Sequence, residues 1–369
     1  MTEADLLASP QATPFAALLE SAAAPHQLAN YRGVLTPQEL DAPEAEIAAL
    51  AAGAACHDMG WLRRVAVRGE DRFRWLSGMV TNTVEGLGTN AGAWNLVLNA
   101  QGRIQGDLTV WREGETLELE IAADQYERLL AHLERFIVMD DVELVPLSGE
   151  TALGLTGPAA DELLARVGLP VLSEQMTSTR AEFNGMDLRI ARGYGQLAAH
   201  YTLWAPEAQP HLGWLWKFLR TAGATPVGSI SLDAFRIAEG IPVYGVDMVE
   251  RDLPQETAQL RALHFSKGCY LGQEIVERIR SRGNVHRHLR PLELSGPVPA
   301  TGTELALEGG GTAIGHITSA ATLQLPSGPR TFALAMIRGE AELNNQLFTY
   351  HAGSDPGTAR VLAAPPSLQ

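Results

Sequence analysis

The sequence has only two cysteines in 369 residues, Cys56 and Cys269. Two isolated thiols cannot build the disulfide framework that is typical of small secreted domains. They also form no CxxC pair and no Cys/His cluster, so the chain alone lacks the ligands for structural zinc or an iron–sulfur cluster. This cysteine usage favours a reducing compartment, and we expect a cytoplasmic protein without a metal site of its own.

Basic residues are also scarce, since 28 Lys and Arg stand against 43 Asp and Glu and give a formal net charge of −15. Affinity for phosphate backbones depends on clustered cations, so this balance argues against direct nucleic-acid binding. One local run of arginines is either a solvated face or an anion site for a polycarboxylate. The run consists of Arg278, Arg280, Arg282, Arg287 and Arg290.

A basic and apolar targeting segment is missing as well. Residues 1–25 are rich in Ala and Pro but carry Glu3, Asp5 and Glu20, which fits neither a secretory signal nor a membrane span. We therefore expect a flexible extension over residues 1–26, with a short helix over residues 15–22, and no membrane partner.

Amphipathic helical patterns and short strand patterns occupy the rest of the chain. They predict an α+β fold with two ferredoxin-like units over residues 27–290, divided near residue 146. From residue 291 the pattern changes to short β-prone runs broken by Gly and Pro, which predicts a small C-terminal β-barrel over residues 291–369. The expected architecture has three domains.

The stretch Lys267-Gly-Cys-Tyr-Leu-Gly-Gln-Glu274 combines an ammonium group, a thiol and a phenol with two glycines four residues apart. Apolar residues at Ile275, Val276 and Ile279 follow at helical spacing, so the stretch predicts a tight turn that leads into a helix. A nearby cation and a helix N-terminus both lower a thiol pKa, which favours a reactive thiolate at Cys269. The alternative is a small buried apolar side chain, and the two interpretations stay open.

This stretch, followed by Arg282-Gly283, resembles the signature of the YgfZ family, which are folate-binding relatives of the glycine-cleavage T-protein that support iron–sulfur enzymes. Weaker matches of pattern extend from about Ala54 to Arg338. The resemblance implies a three-domain T-protein fold with tetrahydrofolate, or a derivative, in a central cleft. It also implies a role in the assembly or repair of iron–sulfur proteins, and indirectly in tRNA modification, with those proteins or their assembly factors as partners.

The resemblance also implies roles for residues of the signature. Cys269 would be the reacting thiol, and contacts to the cofactor would come from Lys267, Tyr270, Gln273 and Arg282.

A second matching segment, residues 231–245, is similar to a T-protein helix whose end carries a glutamate that contacts the pterin ring. Strict register puts that glutamate at Ala238, while the available carboxylate is Glu239, one residue later. Tyr244 follows as a further candidate contact. The expected pterin contacts are therefore Glu239 and Tyr244.

A third segment, residues 101–108, resembles the T-protein turn with paired aspartates that orient the folate and the transferred carbon. Gly106 occupies one of the two places and Asp107 the other. General acid–base catalysis needs a carboxylate within hydrogen-bond reach, so the missing aspartate weakens the case for aminomethyl transfer. A folate-dependent aminomethyltransferase of the T-protein type remains the alternative function, and the sequence leaves open whether the protein is an enzyme.

Overall fold

The computed structural model describes residues 10–20, 27–207, 210–283, 285–308, 311–342 and 347–368. The described chain begins with a helix, a hairpin, a second helix and a short strand. These are α1 (Pro14–Glu20), β1 (Leu28–Tyr31), β2 (Val34–Pro37), α2 (Pro43–Ala52) and β3 (Ala55–Asp58). Phe15 of α1 is fully buried, and its ring centroid lies 4.4 Å from that of Trp216. An aromatic side chain thus anchors this part of the expected extension, while residues 1–9 and 21–26 lie outside the described part.

The first sheet is continuous in sequence and has five antiparallel strands in the order β5-β6-β7-β4-β8. Its elements are β4 (Leu62–Arg68), α3 (Arg72–Met79), β5 (Gly92–Leu98), β6 (Ile104–Glu113), β7 (Thr116–Ala122), α4 (Tyr126–Glu134) and β8 (Glu143–Leu147). Leu76 of α3 and Leu129 and Leu133 of α4 pack into the core of this sheet. Their spacing of four residues places Leu129 and Leu133 on the same helix face.

The second sheet has six strands in the order β10-β11-β12-β9-β3-β13. Its further elements are β9 (Glu150–Gly157), α5 (Ala160–Arg166), β10 (Thr177–Phe183), β11 (Met186–Arg192), β12 (Ala199–Pro206), α6 (His211–Thr221), β13 (Thr225–Val227) and α7 (Ser229–Ala238). Strand β3 pairs with β9 in antiparallel and with β13 in parallel orientation. The second sheet therefore takes one strand from the segment that precedes the first sheet.

A linker with two short 3₁₀ turns, Pro254–Thr257 and Leu260–Ala262, leads to α8 (Gln273–Arg282) and then to a closed barrel. The barrel contains β14 (Arg287–Ser295), β15 (Glu304–Leu307), β16 (Gly315–Leu325), β17 (Gly328–Arg338), α9 (Gly339–Glu342), β18 (Phe348–Ala352) and β19 (Asp355–Val361). The predicted α+β fold with a C-terminal barrel is confirmed.

A β-bulge in β16 connects the barrel to the region after α7. The pairing of β16 with β17 shifts between Ile317 and Ser319, and the extra residue is Thr318. The hydroxyls of Thr318 and Ser319 each donate to Asp247 Oδ1 at 2.6 Å, and Arg236 Nη1 of α7 donates to Asp247 Oδ2 at 2.6 Å. The bulge thus turns two neighbouring hydroxyls toward one buried carboxylate, which fixes α7 relative to the barrel.

Candidate functional site

A cavity of about 270 Å³ lies between the two sheets. The first sheet contributes wall residues from β5, β6 and β7, and the second sheet contributes His57, Thr156 and His200 from β3, β9 and β12. The end of α7 and the segment that follows it, with Glu239, complete the wall. This volume is near the lower limit of ordinary ligand pockets and suits one bicyclic ring system.

Aromatic rings dominate the cavity wall. They belong to Tyr31, Trp61, Trp94, Trp111, Tyr194 and Phe235. The indole N–H of Trp61 is buried and has no hydrogen-bond partner among the described residues. Burial raises the pKa of Glu120, which also lines the cavity, and the neighbouring indoles of Trp204 and Trp111 oppose this shift. Buried donors in native proteins are nearly always paired, so the unpaired donor of Trp61 favours a ligand with a hydrogen-bond acceptor.

Asp107 lies on this wall. Trp94 Nε1 donates to its Oδ2 at 2.8 Å, and Gln125 Nε2 donates to its Oδ1 at 2.9 Å. A Cβ atom on the neighbouring Gly106 would lie 2.6 Å from Gln125 Oε1 and 2.8 Å from the Leu129 methyl groups. The site therefore holds one oriented carboxylate at this turn, and a side chain at Gly106 would have to displace the ends of Gln125 and Leu129.

Glu239 is fully buried and also lines the cavity. Its Oε1 accepts hydrogen bonds from the backbone N–H groups of Gln196 and Leu197, at 3.1 and 2.8 Å. Its Oε2 lies 2.7 Å from His200 Nε2. Ala238 is the position that aligns with the pterin-contacting glutamate of the T-protein helix. It packs in the core between α7 and the barrel. The carboxylate at the cavity is therefore that of Glu239, one residue after the family's position.

Arg261 is a cavity residue that sequence reasoning missed. Its guanidinium carbon lies 4.2 Å from the ring centroid of Trp94 and 3.9 Å from that of Tyr194. Burial lowers the pKa of Arg261 to about 10, while Tyr194, Asp107 and Glu239 oppose this shift. A cation held between two rings suits an anionic or carbonyl group of a ligand. An isolated arginine in a 3₁₀ turn has no periodic signal that could identify it from sequence.

The signature stretch lies away from the cavity, and none of its residues is on the wall. Lys267 Nζ donates to the carbonyls of Ser77, Val80 and Asn82 at 2.6, 2.6 and 2.9 Å, at the C-terminal end of α3. Tyr270 is buried in a small apolar cluster. The lysine thus stabilises a helix terminus, where carbonyls lack partners within the helix.

Cys269 is exposed, and its thiol forms no disulfide. Gln273 is half-buried at the first turn of α8, and Tyr244 lies under the guanidinium of Arg128, 4.9 Å from its ring centroid. The side chain of Arg282 lies outside the described residues. The structure brings Asp107 and Glu239 together on one cavity and leaves Cys269 on a separate surface.

Three arginines of the run have separate surroundings. Arg278 and Arg280 are exposed on α8, and Arg280 pairs with Glu277 at 3.4 Å. Arg287 pairs with Asp252 at 2.9 Å and with Glu256 at 2.8 Å. These contacts favour the interpretation of the run as a solvated helix face plus internal ion pairs.

Cys56 and His57 point to opposite faces of β3. Cys56 packs in the core of the second sheet, and burial raises the pKa of its thiol to about 12. His57 lines the cavity on the other face. The two side chains therefore form no catalytic dyad, as the period of a strand requires.

Two further features are absent from the described residues. No group of three or more His, Cys, Asp or Glu side chains is arranged to hold a metal ion within the described ranges. None of the helices in that part of the chain is both long and apolar enough to cross a membrane.

Comparisons with known proteins identify relatives over most of the chain. An aminomethyltransferase of Rubrobacter xylanophilus is 29% identical over 322 residues, which cover 86% of this chain and 84% of the relative. An aminomethyltransferase of Thermus thermophilus is 28% identical over 86% of this chain and 88% of its own length. A putative chloroplastic transferase of Arabidopsis thaliana is 25% identical over 72% of this chain and 62% of its own length.

The crystal structure of the glycine cleavage system aminomethyltransferase T from Bartonella henselae superimposes with a TM-score of 0.85. It is 20% identical and covers 98% of this chain and 99% of its own, so the two proteins share the T-protein architecture. The GCVT N-terminal domain matches residues 21–267, which include both sheets and the cavity. The chain therefore belongs to the GCVT N-terminal domain family, with the aminomethyltransferase-like fold of the T-protein.

Proposed function

We propose that the cavity between the sheets binds a reduced folate, tetrahydrofolate or a derivative, with its pterin ring between the aromatic walls. The observation that carries this proposal is the wall itself, where aromatic rings and the unpaired indole N–H of Trp61 accompany the carboxylates of Asp107 and Glu239. A pterin ring is flat, accepts hydrogen bonds at its carbonyl and donates them from its amino and ring N–H groups. Both kinds of wall group therefore have counterparts on the ligand.

The residues present fit this cofactor. Trp61 would hold an acceptor atom, Asp107 and Glu239 would hold donor atoms, and Arg261 would face a carbonyl or carboxylate group. When bound, a tetrahydrofolate supplies one ring nitrogen and one linker nitrogen that carry a one-carbon unit. The protein contributes a dry, aromatic enclosure and a carboxylate, Asp107, whose orientation is set by its indole and amide donors.

Calorimetric titration with tetrahydrofolate tests this proposal. At about 100 times the dissociation constant, one-site binding should add roughly 2.7 kcal/mol to the free energy of unfolding. Trp61→Phe removes one N–H donor and should weaken binding roughly fivefold, because a hydrogen bond contributes about 1 kcal/mol. Trp214→Phe is the matched control, since Trp214 is exposed on α6 outside the cavity. Absence of heat and of a thermal shift with every reduced folate would reject folate binding.

We further propose that the protein acts in the assembly or repair of iron–sulfur proteins, with indirect effects on tRNA modification, rather than in glycine cleavage. The exposed thiol of Cys269 in its signature supports this role, because an accessible thiolate can react with a partner or share a metal ligand with it. The names of the aminomethyltransferase relatives favour the alternative. Gly106 argues against that alternative, because glycine supplies no second acid at this turn.

Two assays separate these functions. Purified protein with tetrahydrofolate and an aminomethylated lipoyl carrier should give no turnover, and measurable turnover would establish the alternative. In cells that lack this gene, Cys269→Ser should fail to restore an iron–sulfur tRNA-modifying enzyme, measured by its modified nucleoside. Ser266→Ala, an exposed change in the same loop, should restore it fully. Equal rescue by Cys269→Ser and Ser266→Ala would rule out a role for the thiol.

A further inference from the structure

A third carboxyl group on the cavity wall belongs to Glu120 of β7. Glu120 is in register with Thr109 of β6, and Thr109 is in register with Trp94 of β5. Residues directly opposite each other on neighbouring strands point to the same face of a sheet. All three line the cavity, so they form one row across the first sheet, with an aromatic ring at one end and a carboxyl group at the other.

Glu120 receives fewer hydrogen bonds than the other two carboxylates of the cavity. Asp107 accepts from an indole and an amide, and Glu239 accepts from two backbone N–H groups and contacts His200. Glu120 Oε2 accepts from the indole N–H of Trp204 at 3.3 Å, which is long for such a bond. The described residues supply Glu120 with no backbone donor and with no cation at ion-pair distance.

The two arginines that act on Glu120 through their charge are paired with other carboxylates. Arg64 pairs with Glu118 and Glu150, and Arg189 pairs with Glu118 at 2.6 Å. Burial raises the pKa of Glu120, and the charge of Arg189 is the largest effect that opposes this shift. Among the three cavity carboxylates, Glu120 therefore gains most from donors that a ligand supplies.

Glu120 and Glu239 lie at different places along the cavity. Their contacts Trp204 and His200 both belong to β12 and are four residues apart, which corresponds to about 13 Å along a strand. A single edge of a small ring does not span this distance. The two glutamates would therefore contact different parts of one ligand.

We propose that Glu120 selects the ligand by binding a ring edge on which an N–H and an amino group stand side by side, as on a 2-aminopyrimidin-4-one ring. This inference rests on the proposed folate site, since the pterin ring contains this edge. A carboxylate has two oxygens with about four lone-pair sites, so it accepts both N–H groups in parallel and keeps the bond from Trp204. A ring with a carbonyl group in place of the amino group turns an acceptor toward the carboxylate and is disfavoured.

Pterin and lumazine test this selection, because they differ only in that lumazine has a carbonyl group where pterin has the amino group. Calorimetric titration of the wild type should give an affinity for pterin at least roughly tenfold above that for lumazine, the size of one hydrogen bond to a charged group. Glu120→Gln keeps the side-chain size but presents one acceptor and one donor, so this ratio should fall to about two or less. Glu127→Gln, an exposed change on α4 outside the cavity, is the matched control and should keep the wild-type ratio.

The outcomes separate this inference from the folate proposal. Thermal unfolding of Glu120→Gln close to that of the wild type would show that a changed ratio comes from the site and supports the inference. Equal binding of pterin and lumazine by the wild type overturns it without any variant, and so does an unchanged ratio in Glu120→Gln, while binding of tetrahydrofolate would leave the folate site intact. Selective binding of pterin without binding of tetrahydrofolate would support the role of Glu120 and reject the folate site. If none of the three compounds binds, both proposals are wrong.

Discussion

Cys269 and Lys267 are close in sequence, but their side chains have separate surroundings. The ammonium group of Lys267 is surrounded by three backbone carbonyls at the end of α3, and burial lowers its pKa to about 8. The thiol of Cys269 is exposed. The sequence suggested that this lysine stabilises the thiolate, whereas its contacts assign it to the stability of α3.

Alkylation distinguishes the two cysteines. Native protein should react with iodoacetamide at Cys269 alone, and Cys56 should react only after unfolding, because it is buried and its thiol pKa is raised to about 12. Lys267→Met should lower the free energy of unfolding by about 1–3 kcal/mol, since several charge-assisted hydrogen bonds are lost, and leave the rate at Cys269 nearly unchanged. Mass spectrometry of peptides gives both rates. A sharp fall in the Cys269 rate would show that Lys267 acts on the thiol after all.

The pH dependence of stability reports on His57. Its folded pKa of about 3 lies below the ordinary value of 6.5, so between these values the unfolded chain binds more protons and stability falls as pH falls. Over that range the loss in the free energy of unfolding approaches roughly 5 kcal/mol. His57→Gln should therefore lose less stability on acidification than the wild type. Urea unfolding at several pH values tests this, and parallel curves for the two proteins would contradict it.

Two of the cavity residues were predictable and three were not. Asp107 and Glu239 lie in segments with a recognisable pattern, and the cavity wall contains both. His200, Thr156 and Arg261 come from two different strands and a linker turn, and none has a local pattern that points to a ligand. Their relation appears only when the second sheet places β9 beside β12.

Helices and strands with strong periodicity were predicted well, and the exceptions have physical causes. The spacing of Ile275, Val276 and Ile279 predicted a helix, and α8 is present there. Strand β3 shows no alternation of apolar and polar residues, because all four of its residues are buried. Helix α7 begins at Ser229 with Gly228 as the N-cap residue, and Gly228 provides no side-chain cap. Helix ends depend on tertiary contacts more than helix centres do.

At Gly272, the second glycine of the signature, a side chain would clash with the backbone, whereas at Gly268, the first, it would not. Gly272 has a φ of +80°, and a Cβ there would lie 2.6 Å from the carbonyl oxygen of Asn99 in the β5–β6 turn. Gly268 has open space around it. The signature therefore packs its backbone against the hairpin that precedes Asp107.

Substitution of the two glycines should give opposite results. Gly272→Ala should lower the free energy of unfolding by more than about 2 kcal/mol, because it adds a backbone clash to a left-handed conformation. Gly268→Ala should change it by no more than about 0.5 kcal/mol, since an exposed site has nothing to displace. Thermal unfolding of the pair decides the question, and equal losses would mean that the close approach at Gly272 is relieved by movement of the hairpin.

The two sheets are joined beside the cavity by buried ion pairs. Glu118 of β7 accepts from Arg64 Nε of β4 at 3.0 Å and from Arg189 Nη1 of β11 at 2.6 Å. Arg64 and Arg189 are almost fully buried, and the Arg189 guanidinium lies 5.4 Å from the ring centroid of Trp111 on the cavity wall. This cluster sets the position of one sheet relative to the other at the cavity.

Removing the shared carboxylate of Glu118 should destabilise the folded protein. Glu118→Gln removes the shared counter-charge of two buried guanidinium groups, of which Arg64 keeps its pair with Glu150, and should lower the free energy of unfolding by about 3–5 kcal/mol. Glu115→Gln, in an exposed pair with Arg112 at 3.2 Å, is the control and should cost less than about 1 kcal/mol. Urea denaturation measures both. A small loss in Glu118→Gln would show that water or rearrangement compensates the arginines.

The path of the chain through β3 has a consequence for synthesis. Residues 62–147 complete the first sheet from one uninterrupted segment, so this unit can close as soon as β8 leaves the ribosome. Strand β3 emerges earlier but pairs with β9 and, through Cys56 opposite Pro226, with β13. The nascent chain must therefore leave a strand whose four residues all become buried unpaired while an entire neighbouring unit folds, and unpaired strand edges of this kind favour aggregation.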